Sequence, residues 1–277
     1  MSERGPRLTL ARPDLAAASL EGIVPAGRYE PARATCVAAP VAAVFAAPDP
    51  TSERIDELIY GERFDALETR DGFVWGQAAR DGCVGFAPAH ALAAPGPTPT
   101  HRIAELRADA FAAPSLEANA SGPFSLNSLV AVEAEEGAFS RAADGRWFRT
   151  ADLAPIGRFE PDPAAVAERF LGAPYRWGGR TGGGVDGPGL IQQALYACGQ
   201  ACPRGADQQL ALGREVARAD ARRGDLVGWP GHVGLLVDET RLIHASADHM
   251  AAVVEPLDAA IARFESAGGG APVFRRF

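Results

Sequence analysis

The sequence predicts an α+β domain, with helices and an antiparallel sheet, preceded by two small all-β barrels. Three observations lead to this prediction. Short apolar or alternating runs separated by glycine-containing turns fill residues 35–93, and a weaker copy of the pattern fills residues 100–156. Apart from one short segment in the first 34 residues, helical periodicity begins after residue 160, and a run of strands follows it. Helices followed by consecutive strands are typical of an α+β arrangement.

The chain begins with a predicted arm, residues 1–34. Its segment "RPDLAAASLEG" predicts one short helix, with Asp14 near the start and Gly22 past the end. The first barrel, residues 35–93, is predicted from "VFAAPDP", "RFDALETR", "FVWGQAA" and "GCVGFAPA", which "RDG" turns separate. Trp75 and Phe86 are expected in its core or at an interface.

A proline-rich linker, "APGPTPT", leads from the first barrel into residues 100–156. There "FAAPSLEANASGPF", "SLVAVEAEEGAF" and "DGRWFRTADLAP" repeat the earlier pattern at an offset of roughly sixty residues, which indicates a duplicated small barrel. Both units resemble bacterial SH3-like domains. Glu57 and Glu62 border a loop of the first unit, and solvated surface positions are expected for both.

The last domain is predicted over residues 160–277. Asp162 and Pro163 form a helix start before "AAVAERFL", and Pro188 begins a second helix, "PGLIQQALYAC". The strands are predicted at "GDLVGWP", "HVGLLVD", "RLIHAS", "AVVEPL" and "PVFRRF", with a late helix at "LDAAIARF".

Composition excludes several classes of function. The chain has 277 residues, a net charge of -8, and 27 basic residues that are all arginine, in no run longer than two, which argues against nucleic-acid binding. The first residues carry charges and prolines where a signal peptide needs an apolar core, and no stretch is apolar enough to span a membrane, so a cytoplasmic protein without a membrane partner is expected. The four cysteines are expected to be reduced thiols: Cys36, Cys83, Cys198 and Cys202.

The start of the helix at Gly187 is where chemistry is expected. Unpaired N–H groups and the helix dipole favour negative charge there, so a cysteine at that place would be partly thiolate. His232 begins one predicted strand and His244 ends the next, so the two are expected at facing positions of a hairpin. A histidine beside such a helix start, oriented by a second polar group, is the arrangement of a nucleophile and its base.

Three ordered motifs carry a resemblance to a known family. They are "FLGAPYRWGGRTGGGVDGPGLIQQALYACGQACPRGADQQ", "RRGDLVGWPGHVGLLVD" and "RLIHASADHMAAVVEPL", and they resemble the NlpC/p60 family of papain-like cysteine peptidases with N-terminal SH3-like domains. The family pattern at the nucleophile is Asp-Cys-Ser-Gly-Leu, preceded by Tyr-x-Trp-Gly-Gly.

The resemblance implies hydrolysis of the bond between D-glutamate and a diamino acid in cell-wall stem peptides, without a metal or other cofactor. It implies that His232 is the base, that His244 orients it and that Tyr175 lines the site near the oxyanion. It also implies that the first barrel bounds the cleft, so that peptides with a free N-terminal L-alanine are preferred. The residues assigned to ligand contacts are Trp177, Asp186, Pro188, Arg204, Gly205 and Asp207.

This chain departs from the family pattern at three of these positions. Gly187 stands in place of the cysteine, and Pro188 stands in place of the serine, which removes a hydroxyl and a backbone N–H. Gly205 stands where the family commonly has an acidic residue available to a substrate amine. The fold is therefore expected to persist without the cysteine chemistry, because proline is tolerated in a first helical turn.

The leading hypothesis is a catalytically inactive relative that binds a murein-derived or similar small peptide, or a protein partner, in the retained cleft. The alternative is an active or formerly active γ-D-glutamyl-L-diamino acid endopeptidase of murein recycling, with a changed mechanism or a nucleophile removed by mutation. A structural interaction protein is the third hypothesis. His244 and His249 lack a third ligand, so no metal is expected, and the sequence leaves the oligomeric state open.

Overall fold

The computed structural model describes residue 5 and residues 7–277. Residues 1–4 and 6 of the predicted arm lie outside the described residues. The chain forms two compact units, Met1–Ile156 and Gly157–Phe277. Among the residues that the structure describes, no helix has the length and apolar character needed to cross a bilayer.

The first part of unit one is a seven-stranded antiparallel sheet around an apolar core. Two short parallel strands precede it, β1 (Ala16–Ala17) and β2 (Tyr29–Glu30). The sheet has the order β5-β4-β8-β7-β6-β3-β9. Its strands are β3 (Arg33–Val37), β4 (Val41–Phe45), β5 (Arg54–Ile59), β6 (Arg63–Arg70), β7 (Phe73–Ala78), β8 (Val84–Pro88) and β9 (Leu92–Ala93). Asp71 and Gly72 turn β6 into β7 with φ of 52° and 79°, the positive values that a two-residue Asp-Gly hairpin turn requires.

The predicted helix in the arm is wrong. Residues Ala18–Leu20 form a single 3₁₀ turn, and Leu15, Ala16 and Ala17 are buried in an extended segment. Leu10 and Leu15 pack in one cluster with Trp75 and other barrel side chains. This tertiary packing outweighs the local preference for a helix, because a short helix is marginal by itself. Trp75 is buried there, as predicted.

The surface positions expected for Glu57 and Glu62 are also wrong, because both side chains are buried. Arg54 forms an ion pair with Glu57. Glu62 accepts hydrogen bonds from the backbone N–H of Ile59 at 3.1 Å and from Arg80 at 2.9 Å. Buried carboxylates need such partners, and these pairings are not visible in the local sequence.

The second part of unit one consists of a three-stranded sheet and a five-stranded sheet, in the orders β13-β10-β17 and β12-β11-β16-β15-β14. Phe124, Phe148 and Ile103 form the centre of their core. The strands are β10 (His101–Ile103), β11 (Arg107–Phe111), β12 (Ala120–Ser125), β13 (Leu129–Val130), β14 (Val132–Glu136), β15 (Phe139–Ala142), β16 (Trp147–Arg149) and β17 (Leu153–Pro155). Single 3₁₀ turns, Ala89–Ala91 and Thr150–Asp152, precede the last strand of each half, which matches the predicted repeat.

Unit two contains four α-helices and one 3₁₀ turn, Arg218–Asp220. The helices are α1 (Pro163–Glu168), α2 (Gly187–Ala197), α3 (Ala206–Gln209) and α4 (Leu257–Ser266). Asp162 caps α1 by accepting from the Ala164 N–H at 2.9 Å, and Pro163 follows it, as the sequence predicts. Helix α2 is followed, just past its C-cap residue Cys198, by a glycine, Gly199, with a φ of 77°.

The strands of unit two form one hairpin and one larger antiparallel sheet. Strands β18 (Arg180–Thr181) and β19 (Gly184–Val185) are the hairpin. The sheet has the order β20-β25-β21-β22-β23-β24, and α2 packs against β22 and β23. Its strands are β20 (Arg214–Glu215), β21 (Leu226–Trp229), β22 (His232–Leu236), β23 (Arg241–Ser246), β24 (Ala251–Pro256) and β25 (Val273–Arg276). The five strands predicted from the sequence all lie in this sheet.

The first turn of α2 lies so close to the preceding loop that only glycine fits at position 189. A Cβ on Gly189 would lie 2.2 Å from the carbonyl oxygen of Gly179. At Gly183, by contrast, the nearest atom to an added Cβ is the Thr181 hydroxyl at 3.6 Å.

We expect Gly189→Ala to lower the free energy of unfolding of unit two by about 1–3 kcal/mol, because a methyl group forces the loop and the helix apart. Gly183→Ala is the matched control, and a change within about 0.5 kcal/mol is expected for it. Urea-induced unfolding followed by circular dichroism measures both variants. Equal stabilities of the two variants would contradict the close packing described here.

Candidate active site

The start of α2 is held by the buried carboxylate of Asp186. One of its oxygens accepts from the Gly189 N–H at 2.7 Å, and the other accepts from the Gly178 N–H at 2.9 Å. The Arg204 guanidinium donates to both oxygens, at 3.0 and 2.6 Å. Asp186 therefore joins the glycine-rich loop, the helix start and the segment before α3.

Gly187, the first residue of α2, faces the imidazole of His232. A Cβ on Gly187 would lie 3.4 Å from His232 Nδ1 and 3.0 Å from the carbonyl oxygen of Val233. A side chain at position 187 would thus begin beside this nitrogen, which is where a nucleophile would need to be. The distance to the Val233 carbonyl oxygen is tight, so a side chain at position 187 would require a shift of a few tenths of an ångström there.

His232 and His244 form a hydrogen-bonded pair. His232 Nε2 lies 2.7 Å from His244 Nδ1, and the two rings are nearly perpendicular, at 88°. The expected facing positions are wrong in detail: Leu235 pairs with Ile243, which places Gly234 opposite His244 and makes the histidines a diagonal pair. Imidazoles are long enough to meet across such a diagonal, and Gly234 leaves room for them.

Behind the histidine pair lies a charged group that the sequence analysis missed. His244 Nε2 lies 2.6 Å from an oxygen of Glu255, on the neighbouring strand β24. The oxygen lies off the direction of the ring N–H, so this is a close polar contact and not a straight hydrogen bond. Arg263 of α4 donates to both oxygens of Glu255 and also pairs with Asp248 at 2.8 Å. One sequence signal could have pointed to Glu255, because it is the single carboxylate in an otherwise apolar strand. It lies two residues after Val253, which pairs with His244.

Burial governs the electrostatics of this group. Burial, with a smaller contribution from the positive charge of Arg263, lowers the pKa of His232 to about 3, so the imidazole is neutral near pH 7. Burial opposes ionisation of Glu255, yet the hydrogen bonds from Arg263 and the close contact with His244 hold the pKa of that carboxyl well below its usual range. His232 also lies against Phe264, with ring centroids 4.9 Å apart, and Phe264 stacks on Trp229.

The remaining predicted site residues lie around the helix start. Tyr175 is half-buried, and burial together with the negative charge of Asp186 raises the pKa of its hydroxyl. Trp177 is 59% exposed on the loop before β18. The carbonyl oxygen of Pro188 accepts from Gln209 at 2.9 Å. All four hydrogen bonds described for the Asp186 carboxylate come from protein donors, so its contact with a ligand stays a prediction.

Helix α3 carries the other two predicted ligand residues. Gly205 precedes the helix, and its N–H donates to the side chain of Gln208 at 3.0 Å. Asp207 is exposed in the first turn. Within the described residues, no cluster of three His, Cys, Asp or Glu side chains could hold a metal ion.

The cysteines occupy other positions. Cys198 is at the opposite end of α2, roughly 16 Å from Gly187 at 1.5 Å per residue. The Cys202 thiol is buried and contacts the Pro203 carbonyl oxygen at 3.6 Å, while Cys83 is buried in the core of the first barrel. Buried thiols in such surroundings are poor nucleophiles.

Comparison with known families decides the class of this domain. Residues 172–262 match the model of the NlpC/P60 family. The second unit carries an NlpC/P60 domain. Residues 44–92 match the model described as a bacterial dipeptidyl-peptidase Sh3 domain. Both resemblances predicted from the motifs are confirmed, and so is the α+β class with an SH3-like domain before it.

Several curated bacterial peptidases are similar to parts of the chain. The γ-D-glutamyl-L-lysine dipeptidyl-peptidase of Bacillus subtilis is 31% identical over 133 residues, which cover 43% of this chain and 45% of that protein. Dipeptidyl-peptidase 6 of Lysinibacillus sphaericus is 32% identical over 103 residues, 36% of this chain and 37% of that protein. The chain thus spans less than half of the length of these relatives.

One solved structure shares the architecture. The crystal structure of an NlpC/P60 family protein from Bacillus cereus superposes with a TM-score of 0.76 and covers 88% of this chain and 99% of its own. The sequence identity is 16%, so this similarity concerns the fold.

We expect the His232 ring to stay unprotonated from pH 8 down to about 4.5, because its pKa in the folded protein is about 3. NMR of ¹³C-labelled imidazoles measures this, and His232→Gln assigns the signal. Unfolded His232 takes up its proton near pH 6.5. Between about pH 6.5 and 3, His232 is therefore protonated in the unfolded state and neutral in the folded state. Its contribution lowers the free energy of unfolding as the pH falls through this range. A titration midpoint near 6.5 in the folded protein would contradict the burial of this ring.

Proposed function

We propose that this protein is a catalytically inactive member of the NlpC/P60 group that binds a murein stem peptide, or a closely related peptide, at the start of α2. One observation carries the proposal: Nδ1 of His232 faces a glycine, while the surrounding polar side chains keep a hydrogen-bonded arrangement. The domain thus lacks the attacking atom and keeps the hydrogen-bonded polar side chains that surround its position.

Hydrolysis through an acyl-enzyme needs a thiolate or an activated hydroxyl. Position 187 supplies neither, and Pro188 removes a backbone N–H from the first turn of the helix. A water activated by His232 would gain about 10²- to 10⁴-fold from general-base assistance. Peptidases need far larger accelerations, so this route does not make an effective enzyme.

The polar network supports a retained binding function. Asp186 and Arg204 are both buried, as is His244, and each has polar partners in the fold. Buried charges and polar groups destabilise a protein unless every partner is in place. Asp186 and Arg204 hold the start of α2, whereas the imidazole pair caps no helix, and a binding role is the function that we propose for this pair.

The names of the relatives indicate the type of peptide. The Bacillus subtilis relative is a γ-D-glutamyl-L-lysine dipeptidyl-peptidase, and another relative, from Escherichia coli, is a murein DD-endopeptidase and LD-carboxypeptidase. We therefore propose a ligand with a γ-D-glutamyl linkage to a diamino acid. A cytoplasmic location is part of the proposal, and the absence of disulfides among the four cysteines is consistent with a reducing compartment.

We expect the full chain to bind L-Ala-γ-D-Glu-diamino acid tripeptide and to leave it intact. Isothermal titration calorimetry measures binding, and mass spectrometry after prolonged incubation measures cleavage. The same tripeptide with an α-linked glutamate is the control ligand. Turnover that His232→Ala abolishes would overturn the inactive assignment in favour of an active endopeptidase with a changed mechanism. The absence of heat at millimolar peptide would overturn the binding function and favour a structural interaction protein.

Restoring the nucleophile should recover little activity. We expect no turnover from Gly187→Cys alone and weak turnover from Gly187→Cys with Pro188→Ser. The new Cβ meets the Val233 carbonyl oxygen at 3.0 Å, and Gly205 offers no carboxylate to a substrate amine. Gly183→Cys is the control, because it places a thiol on the exposed turn of the same unit. Turnover by the double variant close to that of an active relative would show that these remaining departures are harmless.

A further inference from the structure

We propose that Glu255 fixes the protons of the two imidazoles, so that Nδ1 of His232 presents a lone pair to the space beside Gly187 and accepts a hydrogen bond from an N–H group of the ligand. The assignment of the ligand group rests on the proposed binding function, whereas the role of Glu255 does not. Glu255 is in this sense a positioning residue that acts through His244.

The first step is the contact between Glu255 and His244. Two lone pairs 2.6 Å apart would repel each other, so either the Glu255 oxygen or His244 Nε2 carries a proton. Two hydrogen bonds from Arg263 keep the carboxylate ionised. The proton therefore belongs to the imidazole, at Nε2.

The second step is the state of His244. The His244 ring is fully buried, and Arg263 already balances the charge of Glu255. A protonated His244 would be a second buried cation beside the same carboxylate, so it would lose its hydration without a carboxylate of its own to compensate. Asp248 also pairs with Arg263, but its side chain is 65% exposed and water screens its charge. The off-axis contact with Glu255 further weakens the charge-assisted bond that an imidazolium would need. His244 is thus neutral and its Nδ1 is an acceptor.

The third step follows from the tautomers. His232 Nε2 lies 2.7 Å from the acceptor Nδ1 of His244 and must donate to it. A neutral imidazole carries one N–H, so Nδ1 of His232 is left with a lone pair. That nitrogen is the one that faces position 187.

The chemistry of a matching ligand group is therefore a hydrogen-bond donor. In a γ-D-glutamyl-diamino acid peptide, the amide N–H of that linkage is a donor of this kind. An uncharged acceptor at Nδ1 would bind the uncleaved amide and would reject a group with lone pairs alone.

Nitrogen-15 NMR of the imidazoles in the unmodified protein tests the proton positions at pH 7. We expect both rings to be neutral with the proton on Nε2. A doubly protonated His244, or a proton on Nδ1 of His232, would overturn the proposal. Glu255→Gln should retain the pattern, because the amide oxygen still accepts from Nε2, whereas Glu255→Met should give a mixture of tautomers. The control is Glu168→Met, since Glu168 is another arginine-paired glutamate of unit two.

Calorimetry with two peptides tests the ligand group. One is the γ-linked tripeptide, and the other is its depsipeptide, in which an ester oxygen replaces the γ-amide N–H. We expect about three- to tenfold weaker binding of the ester, as for the loss of one hydrogen bond. His232→Phe should remove that difference, and Glu255→Gln should preserve it.

The outcomes separate the two proposals. Equal affinities of the amide and the ester would overturn the ligand assignment and leave the binding function intact. No binding of either peptide would overturn the binding function and the ligand assignment together, while the NMR spectrum would still decide the role of Glu255.

Discussion

The buried pair of Asp186 and Arg204 is the constraint on which the rest of the site depends. Its carboxylate receives four hydrogen bonds, two from backbone N–H groups and two from the guanidinium. Removing either partner would leave an uncompensated buried charge, which costs about 3–5 kcal/mol. Because the carboxylate also caps α2, this pair sets where the helix begins. The position of residue 187 beside His232 follows from it.

The second constraint is the sheet, which brings the imidazoles and their carboxylate together from three neighbouring strands. His232 begins β22, His244 lies in β23, and Glu255 lies near the end of β24. Antiparallel register puts Val253 opposite His244, so Glu255, two residues further on, projects from the same face. Arg263 lies on α4, which directly follows β24. A single continuous stretch of chain, from β22 to α4, therefore supplies every member of the group.

Much of this arrangement could be predicted from the sequence, for identifiable reasons. Local signals predict the positions of helices and strands well. Examples are the Asp-Pro start of α1, the glycine after α2 and the alternating apolar strands. The two histidines could be placed together because a short turn joins β22 to β23, and Gly187 was placed beside them through the resemblance of the motifs to the NlpC/p60 pattern. Glu255 was missed because its partner lies across a strand pair whose register no local pattern shows. The burial of Glu57 and Glu62, and the extended arm at Leu15, depend on tertiary partners in the same way.

The loss of the nucleophile changes the electrostatic character of the site as well as its reactivity. A thiolate beside an imidazole would stabilise the protonated ring and raise its pKa. Gly187 brings no such counter-ion, and burial, with the positive charge of Arg263, holds the pKa of His232 near 3. Glu255 favours the protonated ring, but Arg263 balances its charge and His244 stands between it and His232. The site therefore differs in charge from one that holds a thiolate–imidazolium ion pair. The strongest interaction left to a neutral imidazole is a hydrogen bond, which is the interaction that the proposed peptide binding would use.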